Sequence, residues 1–275
     1  MEIRALSAAL RKKAEEINER PTRISSDIKI LRDWTAQQPH LHSVQLTDQW
    51  LVAFLRGCKY NIEKAKGKID MYYTLKATVP EFYRNRDPLD PGIQEILKTG
   101  MILPLKKCVN EDSPRIILMR LGPYCQTSRS LTDMIKVALM FVEVLLLEDD
   151  NFTVAGEDVV VDASGLVFSL VWQWTPSLAR KLTSCSEKAL SVRFKSLHIL
   201  NGPFFLGPAL SIFKMFLGAK LKNRIYSHTK DLDSLYSHIN KSVLPKEYGG
   251  TDGTVPELMD YWKAKIESKR EWFLE

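Results

Sequence analysis

The sequence predicts an α/β fold: a helical N-terminal domain followed by a mainly parallel sheet flanked by helices. Three observations carry this. Apolar residues recur at helical spacing through the first third of the chain, short runs rich in Val, Ile and Leu appear only from about Met101 onward, and helical patterns separate those runs. Runs of that length suit strands buried on both faces, hence a parallel sheet. Strand alternating with helix implies a layered α/β architecture.

The elements follow in order. Ile3, Leu6, Leu10, Ala14 and Ile17 place a first helix, and Ile24, Ile28, Leu31 and Trp34 a second. Thr47 is positioned to cap a third, with Trp50, Leu51, Phe54 and Leu55 on one face. Asn61 is positioned to cap a fourth, carrying Ile62, Ala65, Ile69, Tyr72 and Tyr73. Arg84 to Gly92 holds two prolines and four charges and reads as a boundary, giving domains 1–88, 89–252 and a closing helical segment 253–275. Strands are expected at Met101 to Leu105, Arg115 to Leu121, Asp158 to Val161 and Ser196 to Leu200. Helices are expected at Leu131 to Leu147, Thr175 to Lys188 and Pro208 to Arg224. The last helix starts near Thr254, with Pro256 in its first turn and Leu258, Met259, Trp262 and Ile266 along one face.

At 275 residues, 45% apolar and 26% charged, the composition excludes disordered, collagenous and disulfide-scaffold classes. The N-terminus lacks the apolar core of a secretory signal. The longest uncharged stretch, Ser196 to Phe213, is broken by Gly202-Pro203 and Gly207-Pro208, so no membrane span is expected. Cys58, Cys108, Cys125 and Cys185 are scattered without metal-ligand spacing. These features predict a soluble cytosolic protein with reduced thiols, expected as a monomer.

Catalytic signals are sparse. Walker A, GxGxxG, GxSxG and HExxH motifs are all absent. His40 and His42 form an HxH pair in a loop with no Cys or carboxylate nearby to complete a zinc site. Glu148, Asp149 and Asp150 could suggest calcium or acid/base chemistry, but their place after an apolar helix reads as a solvated helix end. Asp162 ends a strand, where α/β enzymes put catalytic groups, yet Asp-Ala-Ser-Gly is also a turn sequence. His198 lies inside an apolar strand and reads as a hydrogen-bonded core residue. Nothing assembles a nucleophile, a base and an orienting group. The expectation is no enzyme, no metal and no cofactor.

The charge, by contrast, is concentrated. Arg193, Lys195, Lys214, Lys220, Lys222, Arg224 and Lys230 fall in 38 residues without one Asp or Glu; that window carries +7 and leaves −1 for the rest of a chain whose net charge is +6. Such a patch implies an anionic partner. The same window is greasy, with Ala209, Ile212, Phe213, Phe216 and Leu217 on one stripe of a helix and Leu210 and Met215 on the other side. Two readings stand side by side: a core helix with a basic last turn favoured by the helix dipole, or a lid over an apolar cavity. Nucleic acid is disfavoured, because the aromatics do not alternate with the cations as a stacking platform would. Anionic lipid fits better.

Four stretches together carry a resemblance. Thr47-Asp-Gln-Trp-Leu-Val-Ala-Phe-Leu-Arg56 with Ala65, Val159-Val-Val-Asp-Ala-Ser-Gly165, Leu197-His-Ile-Leu-Asn-Gly-Pro203 and Leu244-Pro-Lys-Glu-Tyr-Gly-Gly250 resemble, in order, the signatures of CRAL-TRIO proteins. The resemblance covers roughly residues 25–270 and is greatest to the tocopherol- and retinaldehyde-binding members. It implies a lipid-binding α/β domain with a helical gate over an apolar cavity, and transfer of one hydrophobic ligand between membranes.

The resemblance also implies site residues. The ligand-facing wall would comprise Ile135, Ala138, Val142, Val161, Phe168, Trp172, Trp174, Leu182, Cys185, Val192 and Leu197, and the gate would add Phe205, Ile212, Phe213 and Phe216. Phosphoinositide head groups would meet Arg193, Lys195, Lys220 and Arg224, a rim expected to form where the gate lies over the strand. Where tocopherol carriers have serine hydroxyls this chain has Ala138 and Val142, and Trp172 and Trp174 fill further space. A retinoid, carotenoid or other apolar cargo is therefore open, because a buried hydroxyl without a partner costs about 1–3 kcal/mol. The implied protein is cytoplasmic and reversibly membrane-associated. Two rivals are a phosphoinositide-sensing module without cargo and an enzyme hidden in the cavity around Asp162 and His198.

Overall fold

Ser7, Thr47 and Asn61 each turn a side-chain oxygen onto a backbone amide, of Leu10, Trp50 and Lys64, at 3.3, 3.2 and 2.9 Å. These caps start three of the four long helices that open the chain: α1 (Ala8–Glu15), α2 (Ile24–Ala36), α3 (Asp48–Gly57) and α4 (Ile62–Thr78). The computed structural model describes residues 3–41, 44, 46–228 and 232–274, apart from the side chain of Phe213. The first helix begins later than its apolar repeat, because Ser7 caps it there; Leu6 still packs on Leu10, Ala14, Ile17 and Val154.

The second part holds a five-stranded sheet: β1 (Ile102–Pro104), β2 (Arg115–Arg120), β3 (Glu157–Asp162), β4 (Phe194–Leu200) and β5 (Ile225–Ser227), in the spatial order 1-2-3-4-5. β2 to β5 pair in parallel and β1 runs antiparallel along the edge. Four strands fall where the sequence predicts them. β5 is a strand that the sequence pattern does not predict, three residues long and, among the described residues, paired on β4 alone.

Four longer helices accompany the sheet: α5 (Leu131–Glu148), α6 (Pro176–Thr183), α7 (Leu206–Phe216) and α8 (Val255–Glu267). α6 continues into a π-helical turn, Ser184–Ala189. The helix expected from Pro208 to Arg224 is broken: Leu217 and Gly218 are extended, and a short helix, Ala219–Lys222, follows. Glycine carries the largest entropy penalty for entering a helix, so the break falls at the weakest link. α8 begins at Thr254, whose side chain and Glu257 form a reciprocal capping box.

One buried cluster runs from Ile28 to Phe273 across the Arg84 to Gly92 segment, whose Arg86 pairs with Glu143 of α5 at 2.7 Å. The acidic trio at the end of α5 is not a solvated helix end. Asp150 receives Arg4 and Arg56, Asp149 receives Arg115 at 2.5 Å, and Glu148 receives Lys265 and Lys269. Each carboxylate ties a remote segment to the helix terminus, which local sequence cannot reveal.

Candidate functional site

Side chains alternate across a strand, and residues opposite one another in the ladder share a face. The registers Val159↔Leu197, Val161↔Ile199 and Leu197↔Ile225 therefore bring Val161 and Leu197 to one face of the sheet. Asp158, Val160, Asp162, His198 and Tyr226 point to the other. This separates Val161 and Leu197 from Asp162 and His198, the two residues of the hidden-enzyme reading.

The wall residues differ in burial. Ile135, Cys185 and Leu197 are buried. Ala138, Val142, Val161, Trp174, Leu182 and Val192 are half-buried and pack against the core cluster. Val161 is informative: it sits on the central strand, flanked by Met119 and Ile199, yet is not sealed. Phe168 and Trp172 lie at the surface, Trp172 with 76% of its area exposed. Phe168 meets Phe205 edge to face at 5.7 Å, which joins this surface to the entrance of α7.

Between the start of α5, the 166–174 segment and the first half of α7 lies a hollow of about 170 Å³ lined by Leu121, Leu131, Met134, Leu166, Leu170, Val171, Trp174, Leu206, Ala209 and Leu210. Apart from Trp174 none of these is among the expected ligand-facing residues, since only the fold gathers them; Ala209 and Leu210 belong to the two apolar sides of α7. Larger clefts open elsewhere, one of about 1070 Å³ between Tyr73, Arg84 and Trp272 and one of about 770 Å³ beside Lys106 and Glu111, but charged groups line both.

α7 does not fit the core-helix reading. It is apolar nearly all round, yet none of its described side chains is fully buried. Ile212 and Phe216 are half-buried, Met215 is 72% exposed, and Phe204 just ahead of it is 95% exposed. Phe213 falls outside the described side chains. A core helix would be covered on every side; this one lies across the surface, with the Arg180 guanidinium 5.7 Å from the Phe216 ring centre.

Arg224 reaches the strand that carries Arg193 and Lys195 by a different route from the one expected. β5 pairs with β4, so Arg224 is delivered beside Phe194: its Nη1 donates to the Phe194 carbonyl at 2.8 Å, and its own carbonyl accepts from Leu197 at 2.8 Å. The gate helix does not have to lie over the strand. Burial lowers the Lys195 ammonium below its ordinary range, and Arg193, Lys13 and Arg224 lower it further. Lys195 thus feels three other cations, of which Lys13 is not in the basic window of the sequence, and the Asp158 carboxylate opposes them. Burial also lowers Arg193, whose Nε is buried without a hydrogen-bond partner. Lys220 is exposed in the short helix that precedes Arg224. Among the described residues, none of Arg193, Lys195, Lys220 and Arg224 is in an ion pair.

On the opposite face, Asp162 accepts from Ser164, Asn201 and, at 2.8 Å, the Tyr248 hydroxyl, which fastens the Leu244 to Gly250 motif to β3. His198 Nε2 meets Ser196 Oγ at 2.8 Å, and its Nδ1 meets His228 Nε2 at 2.9 Å; the Ser196 hydroxyl also reaches Asp158. A serine-histidine-carboxylate triad needs the carboxylate on the imidazole to orient it. Here it is on the serine. Burial, helped by His228 and His238, lowers His198 from 6.5 to about 4. The unfolded chain then binds more protons between those values, so stability falls as pH drops from about 6.5 towards 4. Thermal melts across that window should show the decline in wild type and a shallower one in His198→Phe; parallel slopes would assign the pH response elsewhere.

His42 falls outside the described residues; His40 pairs with Asp70 at 2.8 Å, and no metal-ligand cluster occurs among the described residues. None of the described helices is long and apolar enough to cross a membrane.

The chain is similar to known proteins in sequence and in fold. Residues 104–250 match the family described as CRAL/TRIO domain, and residues 20–93 match one described as Pinta-like, UBA domain. Human alpha-tocopherol transfer protein-like is 27% identical over 266 residues, covering 96% of this chain and 75% of that protein. Clavesin-1 of Xenopus laevis is 29% identical over 238 residues, covering 86% of this chain and 70% of that protein. The crystal structure of Sfh5 superposes with a TM-score of 0.54 at 10% identity, over 96% of this chain and 98% of that one, a likeness of fold.

Proposed function

The chain belongs to the CRAL/TRIO domain family, and from that premise we propose that it carries one small hydrophobic lipid between membranes and recognises phosphoinositide head groups with the Arg193, Lys195, Lys220 and Arg224 rim. One observation carries the reading: an apolar helix with no fully buried described side chain, followed at once by cations outside any ion pair among the described residues. In water that surface is costly. Against an anionic membrane, Phe204, Met215, Phe168 and Trp172 gain an apolar environment while the cations gain counter-charges.

A hollow of about 170 Å³ is smaller than the roughly 300–1,000 Å³ of ordinary small-molecule sites. Loading therefore displaces α7 and opens the space towards Val161, Ala138 and Val142. Those last two side chains offer no hydroxyl, which counts against a cargo held by its hydroxyl head, tocopherol itself included, and favours a retinoid, carotenoid or other molecule bound through its apolar body. The protein would work in the cytoplasm, as a monomer that touches membranes reversibly and needs no cofactor.

Native mass spectrometry of the purified chain, followed by organic extraction, tests the cargo: one hydrophobic molecule per chain is expected. A chain that sediments with phosphoinositide vesicles but holds no lipid would be a sensing module instead. For the rim, Lys195→Glu with Lys220→Glu should abolish the salt-sensitive part of vesicle co-sedimentation, since each cation near an anionic surface is worth about 1 kcal/mol and salt screens that gain. Arg224 is left in place because it also holds the Phe194 carbonyl. Equal sedimentation of wild type and variant would remove the rim from membrane binding.

A further inference from the structure

Three of the chain's five histidines meet where β5 is fastened to β4, on the sheet face turned away from Val161. The His198 ring on β4 stacks on Tyr226, its partner in the register, at 5.1 Å and 14°, and on His228 at 5.1 Å and 22°. His238, just past the short helix Asp233–Tyr236, closes the group at 5.1 Å from His198, 5.9 Å from His228 and 4.7 Å from Tyr226. In the same ladder the Leu197 amide donates to the Arg224 carbonyl and the His228 amide to the Ile199 carbonyl, both at 2.8 Å.

The hydrogen bonds of this group run one way. The Asp158 carboxylate accepts from the Ser196 hydroxyl, which spends that hydroxyl's single proton. His198 Nε2 must therefore donate to Ser196 Oγ, 2.8 Å away. A neutral His198 then has a bare Nδ1, which accepts from His228 Nε2 at 2.9 Å. A neutral His228 has a bare Nδ1 in turn, which accepts from the Ser234 hydroxyl at 3.0 Å. A proton added to His198 Nδ1 sets two N–H groups against each other. Burial and the neighbouring imidazoles lower both His198 and His228.

The other charged groups on this face do not offset that cost. Asp158 reaches the imidazoles only through Ser196, and Glu157, Lys195 and Arg224 act on it from the far side. Asp162 is taken up by Ser164, Asn201 and Tyr248, and Asp233 opens the short helix that carries Ser234. Among the described residues none of the three imidazoles is in an ion pair; Lys230 and Asp231 lie outside those residues.

The geometry points to a latch that acid releases: neutral His198 and His228 pin β5, and with it the end of the 201–224 segment that holds α7, to β4, and the strand lifts when they charge. Lifting returns both imidazoles to an ordinary value near 6.5. The open form then binds more protons below that pH, and each of the two histidines weakens the latch about tenfold at pH 5.5. An anionic leaflet at about −30 to −50 mV concentrates protons some three- to sevenfold, so the latch loosens where the chain docks. That last consequence rests on the proposed membrane role; the latch does not.

Hydrogen exchange of the full chain, followed by NMR without ligand or membrane and corrected for the intrinsic rate, tests it. Between pH 7.5 and 5.5 the Leu197 and His228 amides should lose about a hundredfold of their protection. Urea below the unfolding midpoint should leave their exchange at pH 5.5 unchanged, because lifting a three-residue strand exposes little surface. His228→Gln keeps an N–H donor towards His198 but cannot charge, and should cut the loss to about tenfold. His238→Phe keeps a ring in the stack, removes the neighbouring cation, and should also shrink the loss. A wild-type loss below tenfold would overturn the latch. So would exchange that rises with urea as steeply as in the β2–β3 ladder, or a full-sized loss in whichever variant folds.

Discussion

Glu143→Ala should cost the folded protein about 3–5 kcal/mol, the usual penalty for leaving one member of a buried ion pair alone. Glu143 and Arg86 have side chains 0% and 1% exposed and lie 2.7 Å apart. The Arg86 guanidinium is stacked between the Tyr83 and Phe273 rings, 5.4 Å from each, and Trp272 Nε1 donates to the other Glu143 oxygen at 3.3 Å. Removing the carboxylate strands the guanidinium among aromatic rings, where water cannot replace the lost partner. A protein of ordinary stability has only about 5–15 kcal/mol to lose. Urea denaturation should show the drop, and Arg86→Met with Glu143→Leu should recover most of it, because both charges then leave together. A double variant as unstable as the single one would show that the pair itself, and not the orphaned charge, sets the loss.

The largest functional effect is expected at Val142→Asp. Val142 is half-buried on α5 one turn beyond Ala138, on the stripe assigned to the ligand wall. A carboxylate there would have to stay charged in an apolar space or take up a proton, and either costs several kcal/mol. Ligand retention should fall at least a hundredfold, since about 2.7 kcal/mol suffices for that. Extraction of the folded variant, checked by circular dichroism, measures it. Cargo retained at wild-type level would place the ligand away from α5.

The fold was legible wherever the information is local. Thr47, Asn61 and Thr254 announce helix starts because a cap needs only the next three residues. The runs around Leu118, Val160 and Ile199 announce strands because both faces of a central strand are covered. Illegible features depend on partners far away in the chain. β5 is too short to make a pattern and exists because β4 offers it an edge. The ion pairs of Glu148, Asp149 and Asp150 draw on Arg4, Arg56, Arg115, Lys265 and Lys269, none of which a window around residue 149 contains.

The candidate site divides in the same way. That residues 193–230 are basic and greasy can be counted from the sequence. That Lys13 joins them, or that Asp162 and His198 face away from Val161, needs the strand registers and the packing of α1. The helix break at Gly218 stood in plain view as a glycine, but helical periodicity on both sides of it masked the interruption.

The short β5 ladder also limits how α7 could move if it serves as the proposed gate. Chain leaves β4 at Leu200, runs out through α7, and returns at Ile225 to bond to the same strand, with Leu197 opposite Ile225. Mechanically this is a bridge with both abutments on one girder, not a door on a single hinge. Such a span can bow, roll or slide, but cannot swing clear unless β5 peels away. Its fixed ends keep the closing entropy small, since a longer tether would add only logarithmically. Arg224 stands on the far abutment, so a force applied there by a membrane loads the span at its footing. A single cut within residues 201–224 would leave both halves anchored, and the bridge would sag before it fell.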